Sequence, residues 1–202
     1  MLFCADCPVV SCDQKYQNTA PLMCPGADAA SEEVLSKYNS EEYREFGKVS
    51  SEVSMSKDGM KPRILEIVEV AKKMKYKKLG LAFCIGFTEE AASVKKVFEY
   101  HGFQICSVVC KVGGLDKSVQ GINNGGNAMC NSFGQAYLLN REGTDLNVVI
   151  GLCVGHDSLF FRSSDAPVTV LAVKDKVLGH NPLACIYTAE HYYHDILYPP
   201  KE

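Results

Sequence analysis

The chain has 202 residues, 47% of them hydrophobic and 22% charged, with a formal net charge of -3. That is ordinary globular composition, enough for one good core. No apolar run approaches membrane-spanning length, and the lysines are spread along predicted helices rather than gathered into a basic face, which argues against membrane and nucleic acid as partners.

The N-terminus, Met1-Leu-Phe-Cys-Ala-Asp6, has neither the basic region nor the apolar core of a signal peptide, so a cytoplasmic location is expected. Reducing compartments keep thiols free. Ten cysteines are therefore read as metal ligands or reactive thiols, with some inert core residues among them.

Residues 1–27 form a cysteine-rich segment in which Cys4, Cys7, Cys12 and Cys24 follow the spacing C-x2-C-x4-C-x11-C. Large apolar residues are too few there for folding by burial. A structural zinc contributes about 10–16 kcal/mol of apparent binding free energy in small peptides, whereas a helix cap contributes about 1. Four thiolates on one ion would close a Cys4 zinc site, and an iron–sulfur cluster is held by the same donor set.

Residues 28–202 are expected to form a single α/β domain, with helices of residues 28–60 packing on it. Val34, Leu35 and Tyr38, then Tyr43, Phe46, Val49 and Val53, recur at helical steps, with Ser31 and Ser40 as N-caps. The run from Ser54 to Gly59 reads as a linker. Pro62 opens an amphipathic helix carrying Ile64, Leu65, Ile67, Val68, Ala71 and Met74 on its apolar side.

A strand, helix, strand unit follows: Leu79 to Cys84, then Thr88 to His101 capped by Thr88 and closed by Gly102, then Phe103 to Cys110. It implies a parallel pair with a right-handed crossover. The glycine-rich passage Gly113 to Asn127 is neither GxGxxG nor a P-loop. A helix from Asn131 to Arg141, a strand from Leu146 to Cys153, a helix through Leu159 and Phe161, a strand from Pro167 to Val173 and a helical region from Pro182 complete the chain.

The expected fold is a Rossmann-like three-layer parallel sheet with helices on both faces. In strand order 2-1-3-4, Cys84, Cys110, Cys130 and Cys153 converge on the carboxyl edge, where such sheets bind ligands. Cys84-Ile-Gly86-Phe-Thr88 and Cys153-Val-Gly155-His-Asp157 share a pattern of cysteine, glycine and capping residue. A glycine permits close backbone approach, and a helix start offers free N–H groups.

Cys84, Gly86, Cys110, Cys130 and Gly155 are therefore candidate cofactor-binding residues, with Cys130 at a helix start where thiols ionise more easily. Cys153 and His156 are candidate ligands of a second metal, or a nucleophile and its base. Asp157 reads as a cap. Lys174, Asp175, His180 and Asn181 cluster after the last strand, on the same edge. Cys106 and Cys185 read as packing residues, and His191 and His194 as a weak pair on a terminal helix.

Cys84-Ile-Gly, Cys110-Lys111, Cys130-Asn131, Gly151-Leu-Cys-Val-Gly-His-Asp-Ser-Leu-Phe160, Ala166-Pro-Val-Thr169, Val173-Lys-Asp175 and Gly179-His-Asn-Pro182 together resemble domain-of-unknown-function family 1847. This family of archaea and anaerobic bacteria is often labelled an uncharacterised metal-binding protein, and the resemblance implies a metal ion or cluster as partner. Three functions are carried forward. The first is a metalloprotein holding zinc or an iron–sulfur cluster at the N-terminal site, with a second thiol-rich site at the sheet edge; the others are a non-catalytic metal carrier or sensor, and a cysteine-dependent enzyme with Cys153 as nucleophile. A small-molecule ligand is compatible with each.

Overall fold

The computed structural model describes residues 4–10, 12, 20–22, 24–55, 61–122 and 126–200. It divides into two compact units, residues 1–56 and 57–202.

In the first unit a 3-10 turn at Cys4–Asp6 precedes three helices, α1 (Gly26–Ala29), α2 (Glu32–Asn39) and α3 (Arg44–Ser54). Ser31 precedes α2 as expected, with two glutamates in the first turn suited to the positive helix end. Ser40 differs from expectation. It ends α2, its Oγ donating to the Lys37 carbonyl at 2.7 Å and accepting from the Tyr43 N–H at 3.4 Å, and Tyr43 is the N-cap of α3. Residues 56–60 of the expected linker lie outside the described residues.

The second unit contains four parallel strands, β1 (Lys78–Phe83), β2 (Gln104–Val109), β3 (Leu146–Ile150) and β4 (Val168–Ala172), in the order β2-β1-β3-β4. This is the expected order. The interior strands β1 and β3 are almost wholly buried, whereas the outer strands β2 and β4 are only partly so. A parallel sheet covered on both faces demands this distribution of apolar residues.

Pro62 precedes α4 (Arg63–Lys73), and α5 (Thr88–Tyr100) joins β1 to β2. Helix α6 (Ser132–Glu142) carries the chain from β2 across to β3, and α7 (His156–Ser163) joins β3 to β4. Right-handed crossovers running in opposite directions put α5 on one face and α6 with α7 on the other, which gives a three-layer α/β fold. Phe98 from α5, Leu139 from α6 and Phe160 from α7 are fully buried against Leu79, Leu81, Val148 and Val149. Arg63 donates to the Val170 carbonyl of β4 at 2.6 Å and to Thr169 Oγ1 at 3.1 Å. The short helices α8 (Leu183–Ile186) and α9 (His194–Leu197) end the chain.

One strand residue departs from the apolar pattern. Asn147 is fully buried in β3, accepting from Thr144 Oγ1 at 2.8 Å and donating to Ser164 Oγ at 2.8 Å. Its partner across the sheet is Gly80, where an added Cβ would sit 1.9 Å from Asn147 Oδ1. The glycine is required by space: the buried amide occupies the volume a side chain would fill.

Among the described residues, no helix is long and apolar enough to cross a membrane.

Candidate functional site

Cys84 directly follows β1, Cys110 follows β2, and Lys174 lies just beyond β4. The register places Phe83 opposite both Val109 and Ile150, so the chain leaves β1, β2 and β3 at one level. The Cys110 N–H donates to the Phe83 carbonyl at 2.8 Å, and the Cys84 N–H to the Ile150 carbonyl at 3.1 Å, extending the ladders to both thiol residues.

The side chains meet there. Lys174 Nζ lies 2.7 Å from Cys84 Sγ. The Ile85 N–H donates to Cys110 Sγ at 3.3 Å and the Gly86 N–H to Cys84 Sγ at 3.5 Å, so the 3-10 turn Ile85–Phe87 serves both sulfurs. Cys84 and Cys110 are close enough to influence each other's ionisation, as are Cys110 and Cys130, and Lys174 and Cys153. The neighbours run in the order Cys130, Cys110, Cys84, Lys174, Cys153.

The thiols in this line are not equivalent. Burial alone would push Cys84 up, but Lys174, the Gly86 N–H and the Cys110 thiol together outweigh it and hold Cys84 below its ordinary value. Lys174 is raised in turn, first by its bond to Cys84. Burial pushes Cys110 up to about 12, with Cys130 and Cys84 adding to the rise against the opposing Ile85 N–H. Of the two, Cys84 gives up its proton the more readily and Cys110 the less.

Helix α6 fixes the spacing of this pair. Gln135 is fully buried, its Nε2 donating to the Val108 carbonyl at 2.8 Å and the Phe83 carbonyl at 3.3 Å. One amide thus ties the tips of β1 and β2. Sequence pattern alone gives this glutamine no role, since its helix joins β2 to β3 whereas the amide bridges β1 and β2. Lys174 was expected at this edge, but not as the partner of Cys84; only the strand order brings β4 within reach.

Several expected details differ. Strand β3 ends at Ile150, so Cys153 belongs to the following loop rather than to the strand. Gly155 does not offer its N–H to a ligand, because Asp157 Oδ1 accepts from both Gly155 at 3.0 Å and Ser158 at 2.7 Å. Asp157 is accordingly a local cap from within α7. Thr88 does not cap α5 either: its Oγ1 donates to the Ile85 carbonyl at 2.8 Å, and Phe87 occupies the N-cap. Cys130 precedes the α6 N-cap, Asn131, whose side chain accepts from Gly134 at 2.8 Å.

His156 begins α7, and its Nδ1 is buried with no hydrogen-bond partner among the described residues. Cys153 contacts Lys174. His180 packs its ring on Phe87 with centroids 4.5 Å apart, and its Nδ1 accepts from the Asp175 N–H at 3.0 Å, which leaves the proton of a neutral ring on Nε2. Cys106 packs against the core, and Cys185 lies on α8 with its thiol donating to the Pro182 carbonyl at 3.1 Å. His191 precedes α9 instead of sharing it with His194, which pairs with Asp195 at 3.0 Å. Residues 123–125 of the glycine-rich passage lie outside the described residues; Asp116 caps a 3-10 turn at Lys117–Gln120 just before them.

In the first unit Cys4, Cys7, Cys12 and Cys24 line one cavity of about 260 Å³, together with Asp6 and several prolines. Cys7 Sγ accepts from the Val10 N–H and Cys24 Sγ from the Gly26 N–H, both at 3.4 Å. Hydrogen bonds from Val10 and Val9 hold the Cys7 thiol below its ordinary value. Among the described residues, no group of three or more His, Cys, Asp or Glu side chains is arranged to hold a metal ion. None of the ten cysteines is in a disulfide.

No solved structure matches the chain. It is 46% identical over 161 residues to Uncharacterized protein MJ0455 of Methanocaldococcus jannaschii, an alignment spanning 78% of this chain and 83% of that protein. A family model matches residues 24–171, a stretch that includes Cys24 and the sheet-edge cysteines, and the chain belongs to that family, Protein of unknown function (DUF1847).

Proposed function

We propose that this is a thiol-dependent protein whose reactive group is the Cys84 thiolate, which attacks a soft electrophilic centre at the carboxyl edge of the sheet. The observation that carries this reading is the 2.7 Å contact between Lys174 Nζ and Cys84 Sγ. The thiolate is the nucleophilic form of cysteine, and an adjacent ammonium group is one of the devices that stabilises it. Cys84 replaces Cys153 as the proposed nucleophile, because the 2.7 Å lysine contact is made to Cys84, and His156 Nδ1 is buried with no hydrogen-bond partner among the described residues. A reducing compartment such as the cytoplasm suits free thiols.

The test is a time course of iodoacetamide modification near neutral pH, followed by peptide mapping. Cys84 is expected to be alkylated before Cys110, Cys130 and Cys153. Modification of Cys153 ahead of Cys84 would return the nucleophile's role to Cys153.

A second reading concerns the N-terminal unit and rests on the four thiols that line one cavity. Cys4, Cys7, Cys12 and Cys24 would hold zinc or an iron–sulfur cluster, soft acceptors matched to thiolate donors. The group would supply the cross-link that draws this segment together, since binding and folding are coupled in such sites. Anaerobic purification should yield about one zinc per chain in a colourless sample, or iron and sulfide in a brown one. Replacing Cys4 and Cys7 by serine should abolish either signal. A metal-free chain with an unchanged circular dichroism spectrum would refute this reading.

A further inference from the structure

Two features at the sheet edge are left unused by a lone nucleophile: a second cysteine, Cys110, beside Cys84 at the tip of the neighbouring strand, and the single turn that donates to both sulfurs. We infer that Cys84 and Cys110 act as an attacking and a resolving thiol in the reduction of small-molecule disulfides, an inference that rests on the reading of Cys84 as a nucleophile.

The geometry suits a bridge between these two residues. They extend neighbouring parallel strands at one level, and such strands lie about 4.7–4.9 Å apart, inside the Cα separation of about 4.4–6.8 Å that a disulfide spans. The N–H of Ile85, the residue next to Cys84, already reaches the Cys110 sulfur at 3.3 Å. Gln135 holds the two strand tips together from α6, so closing the bridge needs no movement of the sheet. Cys130 meets Cys110, and Cys153 meets Lys174; neither occupies the place beside Cys84 that Cys110 holds.

The chemistry balances with the disulfide as the oxidant. The Cys84 thiolate attacks one sulfur of the substrate, forming a mixed disulfide and releasing one thiolate, which takes a proton from water. The hydroxide left by that proton transfer takes the Cys110 proton, and the Cys110 thiolate attacks the Cys84 sulfur, forming the Cys84–Cys110 disulfide and expelling the second half as a thiolate. The substrate gains two electrons and the protein pair loses two. An external dithiol restores the pair by the reverse exchange.

Burial selects the substrate class. Cys84 is 4% and Cys110 2% exposed, so a disulfide held in the surface of a folded protein cannot be brought onto the sulfur, which leaves short unbranched disulfides as the class. Exposed Ile85 and Val154 lie on the turns that follow β1 and β3.

The test uses the reduced full chain with 2-hydroxyethyl disulfide, followed by non-reducing peptide mapping by mass spectrometry. The expected product is a Cys84–Cys110 bridge with two mercaptoethanol molecules released per bridge. In Cys110→Ser the reaction should halt with half of the reagent attached to Cys84, a defined mass increase. A wild-type chain that retains the half-reagent on Cys84, or that bridges Cys84 to Cys130 or Cys153, overturns the pairing and leaves Cys84 as the nucleophile. No modification of Cys84 by this reagent or by iodoacetamide overturns both. Equally fast reduction of a folded protein's disulfide overturns the substrate class. The wild-type map depends on no substitution, so a variant that fails to fold does not blunt the test.

Discussion

Lys174→Met is expected to slow alkylation of Cys84 near neutral pH and to reverse that effect in strong alkali. The substitution keeps the length of the side chain but removes both the hydrogen bond and the charge on Cys84 Sγ. Burial is the largest influence on this thiol, and without the lysine only the Gly86 N–H and the Cys110 thiol oppose it, so its pKa rises. Each unit of rise removes about tenfold of the thiolate at a pH below the pKa. The remaining thiolate is more nucleophilic by about threefold per unit, given a Brønsted slope near 0.4–0.5. The net loss is therefore about threefold per unit at neutral pH.

Once both proteins are fully ionised only the second factor survives, and the variant becomes the faster of the two. A rate–pH profile of Cys84 alkylation would display this crossing. Lys174→Arg, which retains charge but not the compact ammonium geometry, should fall between wild type and Lys174→Met. Parallel profiles with no crossing would show that the lysine shapes access to the thiol without setting its ionisation.

Gly151→Ala is expected to be the most damaging small substitution at this edge. Gly151 has φ 64°, and an added Cβ would lie 2.1 Å from a ring carbon of Phe87. Left-handed backbone at a residue with a Cβ costs about 1–2 kcal/mol, and forced overpacking typically another 1–3. A combined loss of about 2–5 kcal/mol corresponds to a fall in melting temperature of roughly 5–15 °C for a chain of this size. Gly143→Ala supplies the comparison, since Gly143 has φ 63° and nothing within 4 Å of the added Cβ.

Thermal melts of the two variants separate strain from collision. Equal losses would mean that Phe87 yields without cost. A larger loss at Gly151 should be accompanied by altered Cys84 alkylation, because Phe87 closes the turn whose N–H groups serve both sulfurs and carries the His180 ring.

These effects indicate which parts of the site sequence can reveal. The strands and helices, and the cysteines that end the strands, follow from local signals such as apolar runs and helix periodicity; the strand order entered the sequence reading as a condition, and the structure has that order. Contacts made between elements carry no such signal. Lys174 follows a strand that is last in sequence, and nothing near it announces Cys84; Gln135 looks like any polar helical residue. Hydroxyls donate as readily as they accept: Thr88 only donates to the carbonyl of the preceding turn, whereas Ser40 donates to Lys37 and also accepts from the Tyr43 N–H at the turn before α3. The matching cysteine–glycine patterns at Cys84 and Cys153 are alike in sequence, but one glycine gives its N–H to a sulfur and the other to Asp157.

The buried amide of Asn147 lies at the opposite end of the sheet from these sulfurs, yet it governs their alignment. An apolar strand covered on both faces can slide along its neighbour by two residues and still present hydrocarbon to the core. A hydrogen-bonding side chain that fits only against Gly80, Thr144 and Ser164 removes that freedom, because any slip strands it without partners among apolar atoms. Asn147 thus acts as an index mark for the sheet. Moving it by one notch would carry Gly151 past Phe87 and draw the β3 loop, with Cys153, away from the lysine it meets.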